Sequence, residues 1–365
     1  MNGERRKFLT RAAAIGAAIA GTGEVKSEEK PSPPGLVLSP RTQELLSQFN
    51  LKYPILQAPV GFASGPDLVI AVCRAGAMGS MALTGAAPDD ARERVKKVLA
   101  ATSANFAVNY ILSFEPRSLA SVLDAGAPII QFSWGIPNRQ MTSLVRSAGA
   151  RFGVQVASAD GAKAALDADA DYLVCQGTEA GGHVQASSPL LEALANVLEV
   201  SPDKPVFAVG GIADGAAIRK VLAAGASGAS IGTRFVATEE SYAHPVYKQA
   251  LVKAQAGQTA LSVCFEGGWS NALHRTLRNE TFTRWEAAGC PPSGQRPGEG
   301  DVLATRPDGG AVLRYLGFSP SKLLIGDRIG ECALHAGMGV GQINDIPPAG
   351  DLVRRLWREC VNASV

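Results

Sequence analysis

Short apolar runs alternate with segments of helical spacing over residues 50–234. The runs predict eight strands, at residues 54–57, 78–83, 105–110, 128–132, 152–156, 172–176, 205–209 and 228–231. The segments between them predict helices at residues 67–74, 89–100, 116–124, 138–147, 159–167, 189–198 and 214–223. This alternation indicates an α/β fold, a closed (β/α)8 TIM barrel of parallel strands. A doubly wound open sheet is the alternative, but no G-x-G-x-x-G follows the first strand.

The alternation fades beyond Arg234. Helical patterns occur at residues 245–256, 319–324 and 351–360. Residues 289–310 are dense in glycine and proline, which is typical of an extended loop. We therefore expect residues 41–234 to form the barrel and residues 235–365 to form a mainly helical cap that packs on it. Such a cap would build the substrate side of a cleft at the barrel mouth.

The N-terminal residues differ in composition from the rest of the chain. Arg5 and Arg6 precede Phe8, Leu9 and a weakly apolar run at residues 12–20. This order resembles a twin-arginine export signal over residues 1–20; an amphipathic helix and a disordered tail are the alternatives. Residues 21–40, rich in Lys, Glu, Ser and Pro, are predicted to be a flexible linker. The protein is then exported to the periplasm if the signal is used, and cytoplasmic if it is not.

Composition narrows the classes of function. Hydrophobic residues make up 46% of the chain and charged residues 19%, so a large core is expected. A formal net charge of +2 without basic and aromatic clusters argues against a nucleic-acid partner. No segment after the N-terminal region has the length and apolarity of a transmembrane helix. The six cysteines form no Cys-x-x-Cys pair, so neither a zinc site nor a catalytic cysteine is expected.

The segment at residues 176–183, Gln-Gly-Thr-Glu-Ala-Gly-Gly-His, follows the sixth predicted strand. In TIM barrels the chemistry lies at the carboxyl ends of the strands, and histidine is well suited to proton transfer near neutral pH. We therefore predict that His183 acts as a base, carried on a flexible glycine hinge. Gly181 and Gly182 would let the backbone approach a flat or anionic ligand, where a Cβ would collide.

The last two predicted strands are both followed by glycine. Gly210 and Gly211 follow the seventh strand, and Gly232 and Thr233 follow the eighth. Loops at these places often bind phosphate through backbone N–H groups, and the adjoining Arg234 adds a cation. A phosphate site is the prediction, and two tight strand-to-helix turns are the alternative.

Carboxamides lie at several other strand ends. They offer both donors and acceptors without adding charge, as the mixed edge of a planar cofactor requires. These side chains are Gln57, Asn109, Gln131, Gln155 and Gln176.

Several of these motifs together resemble nitronate monooxygenases, formerly called 2-nitropropane dioxygenases. The resemblance is carried by residues 54–59, 176–183, 210–212, 231–235, 237–241, 244–248 and, more loosely, 336–341. Flavin-dependent enoyl-[acyl-carrier-protein] reductases share much of this pattern. The shared parts include the Glu-Ala-Gly-Gly-His loop and the His-Pro-x-Tyr-Lys segment.

The resemblance implies a barrel that binds FMN non-covalently, with His183 as the catalytic base. The family's flavin contacts fall on Ala58, Pro59, Asn109, Gln155, Gln176, Gly181, Gly182, Gly210, Gly211, Gly232 and Thr233. The chain departs from the family's pattern at three positions. Gln155 stands where some members have lysine, Val60 where methionine is common, and Met338 where glutamine is frequent. The last two departures are expected to reshape the substrate pocket.

The reaction that the resemblance implies is the oxidation of small nitroalkanes or their nitronate anions by O₂, which gives carbonyl compounds and nitrite. Two alternatives stay open: an NAD(P)H-dependent flavin reductase of enoyl thioesters, and a flavin-binding protein without this catalysis. The oligomeric state also stays open, a homo-oligomer included.

The other three histidines have weaker claims to the site. His244 lies at a predicted helix start, where a structural or surface position is expected. His274 lies among arginines, which is typical of a solvated basic face. His335 lies just before the glycine-rich residues 337–341. We expect it to lie outside the cleft, and an approach to the cleft is the less expected alternative.

Overall fold

The computed structural model describes residues 36–364. The predicted signal at residues 1–20 and most of the predicted linker therefore lie outside the described residues. Among the described residues, no helix combines the length and the apolar character needed to cross a membrane. The first element is helix α1 (Pro40–Phe49), at whose start the Ser39 hydroxyl accepts a hydrogen bond from the Thr42 amide at 3.2 Å.

Eight parallel strands lie within one residue of their predicted bounds. They are β1 (Ile55–Gln57), β2 (Gly79–Ala82), β3 (Phe106–Ile111), β4 (Ile129–Ser133), β5 (Arg151–Val156), β6 (Tyr172–Gln176), β8 (Val206–Val209) and β9 (Gly228–Ile231). A two-residue strand, β7 (Gly182–His183), lies between β6 and β8 in the chain and outside their sheet.

The eight strands close into a barrel. Their order is β1-β9-β8-β6-β5-β4-β3-β2, and a parallel bridge between Leu56 and Met78 joins the two ends. At this seam the Gln57 amide donates to the Met78 carbonyl at 2.8 Å, and the Met78 amide donates to the Ile55 carbonyl at 2.9 Å. The prediction of a TIM barrel is confirmed.

Helices connect successive strands of the barrel on its outer side. They are α2 (Pro66–Ala75), α3 (Pro88–Ala101), α4 (Leu119–Asp124), α5 (Arg139–Ser147), α6 (Ala159–Asp167), α7 (Leu190–Val200) and α8 (Gly215–Ala223). Local sequence sets their starts: α2 and α3 begin with proline, whose fixed φ suits a first helical residue. Asn138, Ser158 and Asp214 cap α5, α6 and α8 with side-chain oxygens that accept backbone hydrogen bonds.

Alternation along the strands sends side chains to two environments. On β6, Cys175 packs among the outer helices, whereas Tyr172 and Val174 belong to the cluster inside the barrel. Helix α1 closes the lower end of that cluster, because its Phe49 ring lies 5.3 Å from the Tyr172 ring. The same alternation carries Gln176 to the inner face at the carboxyl end of β6, so the inward carboxamides lie above the apolar interior.

Residues 235–364 contain short strands as well as the helices that the pattern predicts. Beside helices α9 (Thr233–Val236), α10 (Pro245–Lys253), α11 (Glu280–Ala287) and α12 (Ala349–Asn362), they hold strands β10 (Thr259–Ser262), β11 (His274–Leu277), β12 (Val302–Thr305) and β13 (Ala311–Leu313). Strands β10, β11 and β7 form one antiparallel sheet, and β12 pairs with β13. Residues 319–324 are not helical, because Ser321 forms an antiparallel bridge with Ala243. The pairing of β7 with β11 and the bridge between Ala243 and Ser321 join residues distant in sequence, which local periodicity does not predict.

Helix α12 packs on the outer wall of the barrel and not over its mouth. It lies against α2 and α8, where it buries Leu352, Val353 and Leu356 in the same core as the barrel helices. Glu359 on this helix accepts a hydrogen bond from the Gly215 amide at the start of α8, at 3.0 Å. The end of the chain thus completes the ring of helices around the barrel.

Candidate active site

A cavity of about 260 Å³ opens at the carboxyl ends of the barrel strands. Its floor, formed by these strand ends and the loops that follow β6, β8 and β9, faces an upper wall contributed by residues 267–269, 317–319 and 335. The structure brings to this cavity the predicted base His183 and every predicted flavin contact: Ala58, Pro59, Asn109, Gln155, Gln176, Gly181, Gly182, Gly210, Gly211, Gly232 and Thr233. Their roles toward a ligand stay predictions.

The carboxamides at the strand ends differ in whether they line the cavity. Asn109 lines the cavity, and its side-chain oxygen accepts a hydrogen bond from Gln131 at 3.3 Å. Gln131 in turn accepts from the Tyr172 hydroxyl at 3.4 Å, so this pair is held by the barrel interior. Gln57 is fully buried and does not line the cavity; its carboxamide accepts from the Ser80 amide at 3.1 Å and thereby ties β1 to β2.

The glycine loops after β8 and β9 leave backbone donors free. Within the described residues, the N–H groups of Gly210, Gly211 and Gly232 donate to no protein acceptor, although all three residues line the cavity. The Thr233 hydroxyl accepts from the Gly337 amide at 3.0 Å, which leaves its own proton available to donate. A group of neutral donors of this kind fits an anion such as a phosphate.

Arg234, the cation predicted with this loop, does not line the cavity. Its side chain is only 2% exposed, pairs with Asp345 and donates to the Ala237 carbonyl at 3.1 Å. Burial lowers the pKa of the guanidinium to about 10, while the Asp345 charge acts in the opposite direction. Because helix α9 begins at Thr233, the next side chain leaves the helix about 100° further round and points away from the cavity.

Crowding by protein alone is enough to require glycine at position 181. A Cβ at this position would lie 2.4 Å from the Gly337 nitrogen and 3.0 Å from the Thr233 hydroxyl oxygen. Gly182 is different, since a Cβ there would meet nothing nearer than His335 Nδ1 at 3.7 Å. Its φ of +74° is what favours glycine.

His183 lies on a paired strand and not on a flexible hinge. Strand β7 pairs antiparallel with β11, which places His183 opposite His274. The Gln176 side chain donates to the His183 carbonyl at 3.1 Å. The imidazole also stacks on the Trp269 ring, with centroids 4.4 Å apart and an angle of 28° between the planes. Because the partner strand β11 is distant in sequence, the residues next to His183 do not predict this pairing.

The His183 imidazole is neutral at pH 7. Burial lowers its pKa to about 4, and the neighbouring His274 acts in the same direction. Its Nε2 atom is buried and has no hydrogen-bond partner among the described residues. A neutral imidazole with an unused ring nitrogen is suited to proton transfer with a bound substrate.

His274 and His335 complete a cluster of three histidines, whereas a solvated position was expected for His274. The His183 ring centroid lies 5.6 Å from that of His274 and 5.5 Å from that of His335. His274 is fully buried, and its Nε2 accepts from the Phe265 amide at 2.9 Å. His335 lines the cavity, with Nδ1 at 3.2 Å from the Ser319 hydroxyl and Nε2 unpartnered within the described chain. Across residues 36–364 no group of histidine, cysteine and carboxylate side chains is arranged to hold a metal ion.

The sequence matches the family model for nitronate monooxygenases over residues 43–117 and 114–359. The chain belongs to the nitronate monooxygenase family. It is 31% identical to a nitronate monooxygenase of Pseudomonas aeruginosa, over 69% of this chain and 84% of that protein. It is similar to the solved structure of nitroalkane oxidase from Streptomyces ansochromogenes, with 29% identity, a TM-score of 0.70 and coverage of 87% of this chain and 97% of that one. FabK from Thermotoga maritima gives 25% identity, a TM-score of 0.72 and coverage of 87% and 95%.

Membership of the nitronate monooxygenase family makes the protein an oxidoreductase and confirms the resemblance seen in the motifs. The sequence pattern did not predict the aromatic side chains that line the cavity, which are Phe62, Phe114, Trp134, Trp269 and Phe318. Phe62 lies in a short 3-10 helix (Gly61–Ala63) and the other four lie in loops, where no periodicity indicates them. One signal was available: Trp134 and Trp269 each adjoin glycine in segments without a core pattern, among only four tryptophans in the chain.

Proposed function

We propose that the protein is an FMN-dependent nitronate monooxygenase that converts nitroalkanes or alkyl nitronates and O₂ into carbonyl compounds and nitrite, with His183 as the base. One observation carries this proposal. The neutral imidazole of His183 lines the cavity with a buried Nε2 that no group of the described residues engages. A carbon acid such as a nitroalkane is the kind of substrate that such a base serves. The family to which the chain belongs supports the reaction class.

The hydrogen-bond donors that line the cavity suit FMN. The N–H groups of Gly210, Gly211 and Gly232 and the Thr233 hydroxyl would hold the phosphate. The isoalloxazine edge would meet the remaining predicted contacts, which are Ala58, Pro59, Asn109, Gln155, Gln176, Gly181 and Gly182. When bound, the flavin supplies the redox chemistry, and the protein supplies orientation and a base.

His183 would take the α-proton of a neutral nitroalkane. Because its pKa is lowered to about 4, the imidazole is in the base form throughout the range from pH 6 to pH 8. The nitronate that forms is an anion, and its charge next to the new imidazolium stabilises the pair. With a substrate that is already ionised, the same imidazole would only position the nitro group.

His335 would donate a hydrogen bond to the nitro group. Burial lowers its pKa well below the usual value, so the ring is neutral. A Ser319 hydroxyl that donates to Nδ1 places the ring proton on Nε2, the atom without a protein partner in the described chain. A neutral donor at this place would stabilise charge that develops on the nitro oxygens during deprotonation.

The test uses the purified protein, its visible spectrum and two forms of one substrate. His183→Ala should keep the bound flavin spectrum and lose about 10²- to 10⁴-fold in kcat/KM on neutral nitroethane. Activity on preformed ethyl nitronate should fall much less, since no proton has to be removed. His244→Ala, a histidine that caps α10 outside the cavity, is the matched control. Equal rates of His183→Ala and the parent protein on nitroethane would remove His183 from the mechanism.

An NAD(P)H-dependent reductase of enoyl thioesters is the second candidate function. The loop at residues 179–183 and the segment at residues 244–248 are shared with that class, and the fold matches that of FabK. Anaerobic mixing separates the two functions: bleaching of the flavin by a nitronate alone supports the first, and rapid bleaching by NADPH supports the second. A yellow protein that reacts with neither would be a flavin-binding protein without this catalysis. A colourless protein that FMN cannot reconstitute would contradict all three.

We also propose that the protein is exported to the periplasm by a twin-arginine signal at residues 1–20. Arg5 and Arg6 before Phe8 and Leu9 support this proposal. Replacing both arginines with lysine should retain the protein in the cytoplasmic fraction, and an unchanged distribution would contradict it.

A further inference from the structure

Five aromatic side chains from five separate segments surround the cavity, and we call them the aromatic rim: Phe62, Phe114, Trp134, Trp269 and Phe318. They form two contacting groups. Trp269 lies 4.6 Å from Trp134 and 5.2 Å from Phe114 between ring centroids. Phe62 and Phe318 form the second group, with centroids 6.2 Å apart. Loops that are otherwise unrelated therefore place their aromatic residues at one opening.

The rim is unusually open to solvent for aromatic residues. Phe62 is 57% exposed, Phe318 55% and Phe114 40%. Apolar surface gathered at the mouth of a cavity is typical of a binding site for an apolar group, since a soluble protein rarely leaves such a patch uncovered. Because the rim extends the cavity outward from His183, its occupant would be continuous with the substrate.

The cavity wall contains no lysine, arginine, aspartate or glutamate among the described residues. Arg275 on β11 and Arg296, whose charge acts on His274, are both engaged elsewhere. Arg275 donates to the Thr178 carbonyl at 2.8 Å, and Arg296 pairs with Glu266. A carboxylate carried by the substrate would therefore lose its hydration without gaining a cation, which is costly. The charge of a nitronate is different, because it would form next to the His183 imidazolium and the neutral donor His335, whereas a carboxylate at the other end of the substrate would face the aromatic rim.

Building on the proposed function, we infer that the physiological substrate is a nitro compound whose other end is an aryl or comparably bulky apolar group without a carboxylate. The aromatic rim binds that group, while His183 and His335 face the nitro end. Rings of this kind recognise an aryl group by stacking and edge contacts. The inference narrows the small nitroalkanes expected from the family resemblance to one chemical class.

Binding and turnover are measured separately on the flavin-loaded protein. Tryptophan fluorescence reports occupancy, because Trp134 and Trp269 belong to the rim. We expect 2-phenylethanol, which does not react, to bind at least about 10-fold more tightly than phenylacetate. In turnover, 1-nitro-2-phenylethane should have a KM about 10- to 100-fold below that of nitroethane, and 3-nitropropionate should be the poorest of the three. Equal affinity for 2-phenylethanol and phenylacetate would overturn the inference.

Variants of the rim assign the effect to its side chains. Phe318→Ala and Phe62→Ala should each raise the KM of the phenyl substrate about 10-fold and raise the KM of nitroethane much less. Leu323→Ala, which removes an apolar side chain that is 49% exposed outside the cavity, is the matched control. A KM that rises equally for both substrates would overturn the inference. Preference for 2-phenylethanol without turnover of any nitro compound would support the aromatic rim and contradict the proposed function.

Discussion

The floor and the upper wall of the cavity are built by different means. The floor consists of strand ends and short loops that repeat around the barrel, and its polar groups are backbone amides and carboxamides. The upper wall comes from residues 267–269, 317–319 and 335, which belong to segments with little regular structure. Its side chains are aromatic rings and a histidine. This difference fits the proposal that the floor binds the flavin and that the upper wall contacts the substrate.

The first and largest expected effect tests how rigid the floor is. Gly181→Ala should lower the free energy of unfolding by about 3 kcal/mol or more, because its Cβ would lie 2.4 Å from the Gly337 backbone nitrogen and backbone cannot move aside as a side chain can. Thermal and urea unfolding measure the loss. Gly330→Ala, whose Cβ would meet nothing nearer than 3.9 Å, is the control and should be close to neutral. Equal stability of both variants would show that the loops around Gly181 are loosely packed.

The same contrast explains which parts of the site could be predicted from the sequence. The strands and their order followed from alternation, and the residues at their carboxyl ends followed from the strands. The position of Gly210 and Gly211 needs only a strand that stops at Val209. By contrast, His274 reaches the site through pairing with a strand of two residues, too short for any pattern. The reason for Gly181 likewise lies in Gly337, which is distant in sequence.

The second prediction concerns His274, which links the upper wall to His183. Its pKa is lowered to about 4 by burial, and the ion pair of Glu266 and Arg296 acts on it in opposite directions. The unfolded state has the usual pKa of 6.5, so between pH 6.5 and pH 4 the unfolded chain binds a proton that the folded chain does not. The free energy of unfolding should therefore fall with decreasing pH, by up to about 3 kcal/mol from this group.

His274→Gln removes that titration and retains an acceptor for the Phe265 amide. Urea unfolding at pH 6.5 and at pH 5 should show a smaller decrease for the variant than for the parent protein. Carboxylate titrations are common to both proteins and cancel in the comparison. The variant should also raise the pKa of the acid limb of kcat/KM, because His274, which becomes charged near pH 4, no longer opposes protonation of His183. Parallel stability profiles would contradict a neutral, buried His274.

The third prediction concerns Gln185, which links Trp134 of the aromatic rim to the end of strand β5. Its side-chain oxygen accepts from the Trp134 amide at 3.2 Å, and its side-chain nitrogen donates to the Gln155 carbonyl at 3.1 Å. Trp134 has a φ of +57°, which is rare for a bulky residue and is held by such contacts. Gln185→Ala should cost about 1–2 kcal/mol of unfolding free energy and raise the KM of an aryl substrate. Gln43→Ala, which removes an exposed carboxamide, is the control.

The last prediction, which has the smallest expected effect, compares Val60 and Met338, two positions at which the chain departs from the family's pattern. Val60 lines the cavity, so Val60→Met should narrow it and change KM by about 10-fold. The Met338 side chain is 52% exposed and does not line the cavity, although its amide donates to the Glu179 carbonyl at 3.0 Å. Met338→Gln should therefore leave KM unchanged and alter the free energy of unfolding by less than about 0.5 kcal/mol. A change in substrate preference in Met338→Gln would mean that the segment after His335 closes over the cavity when substrate binds, and that the upper wall extends beyond the residues that line it in this structure.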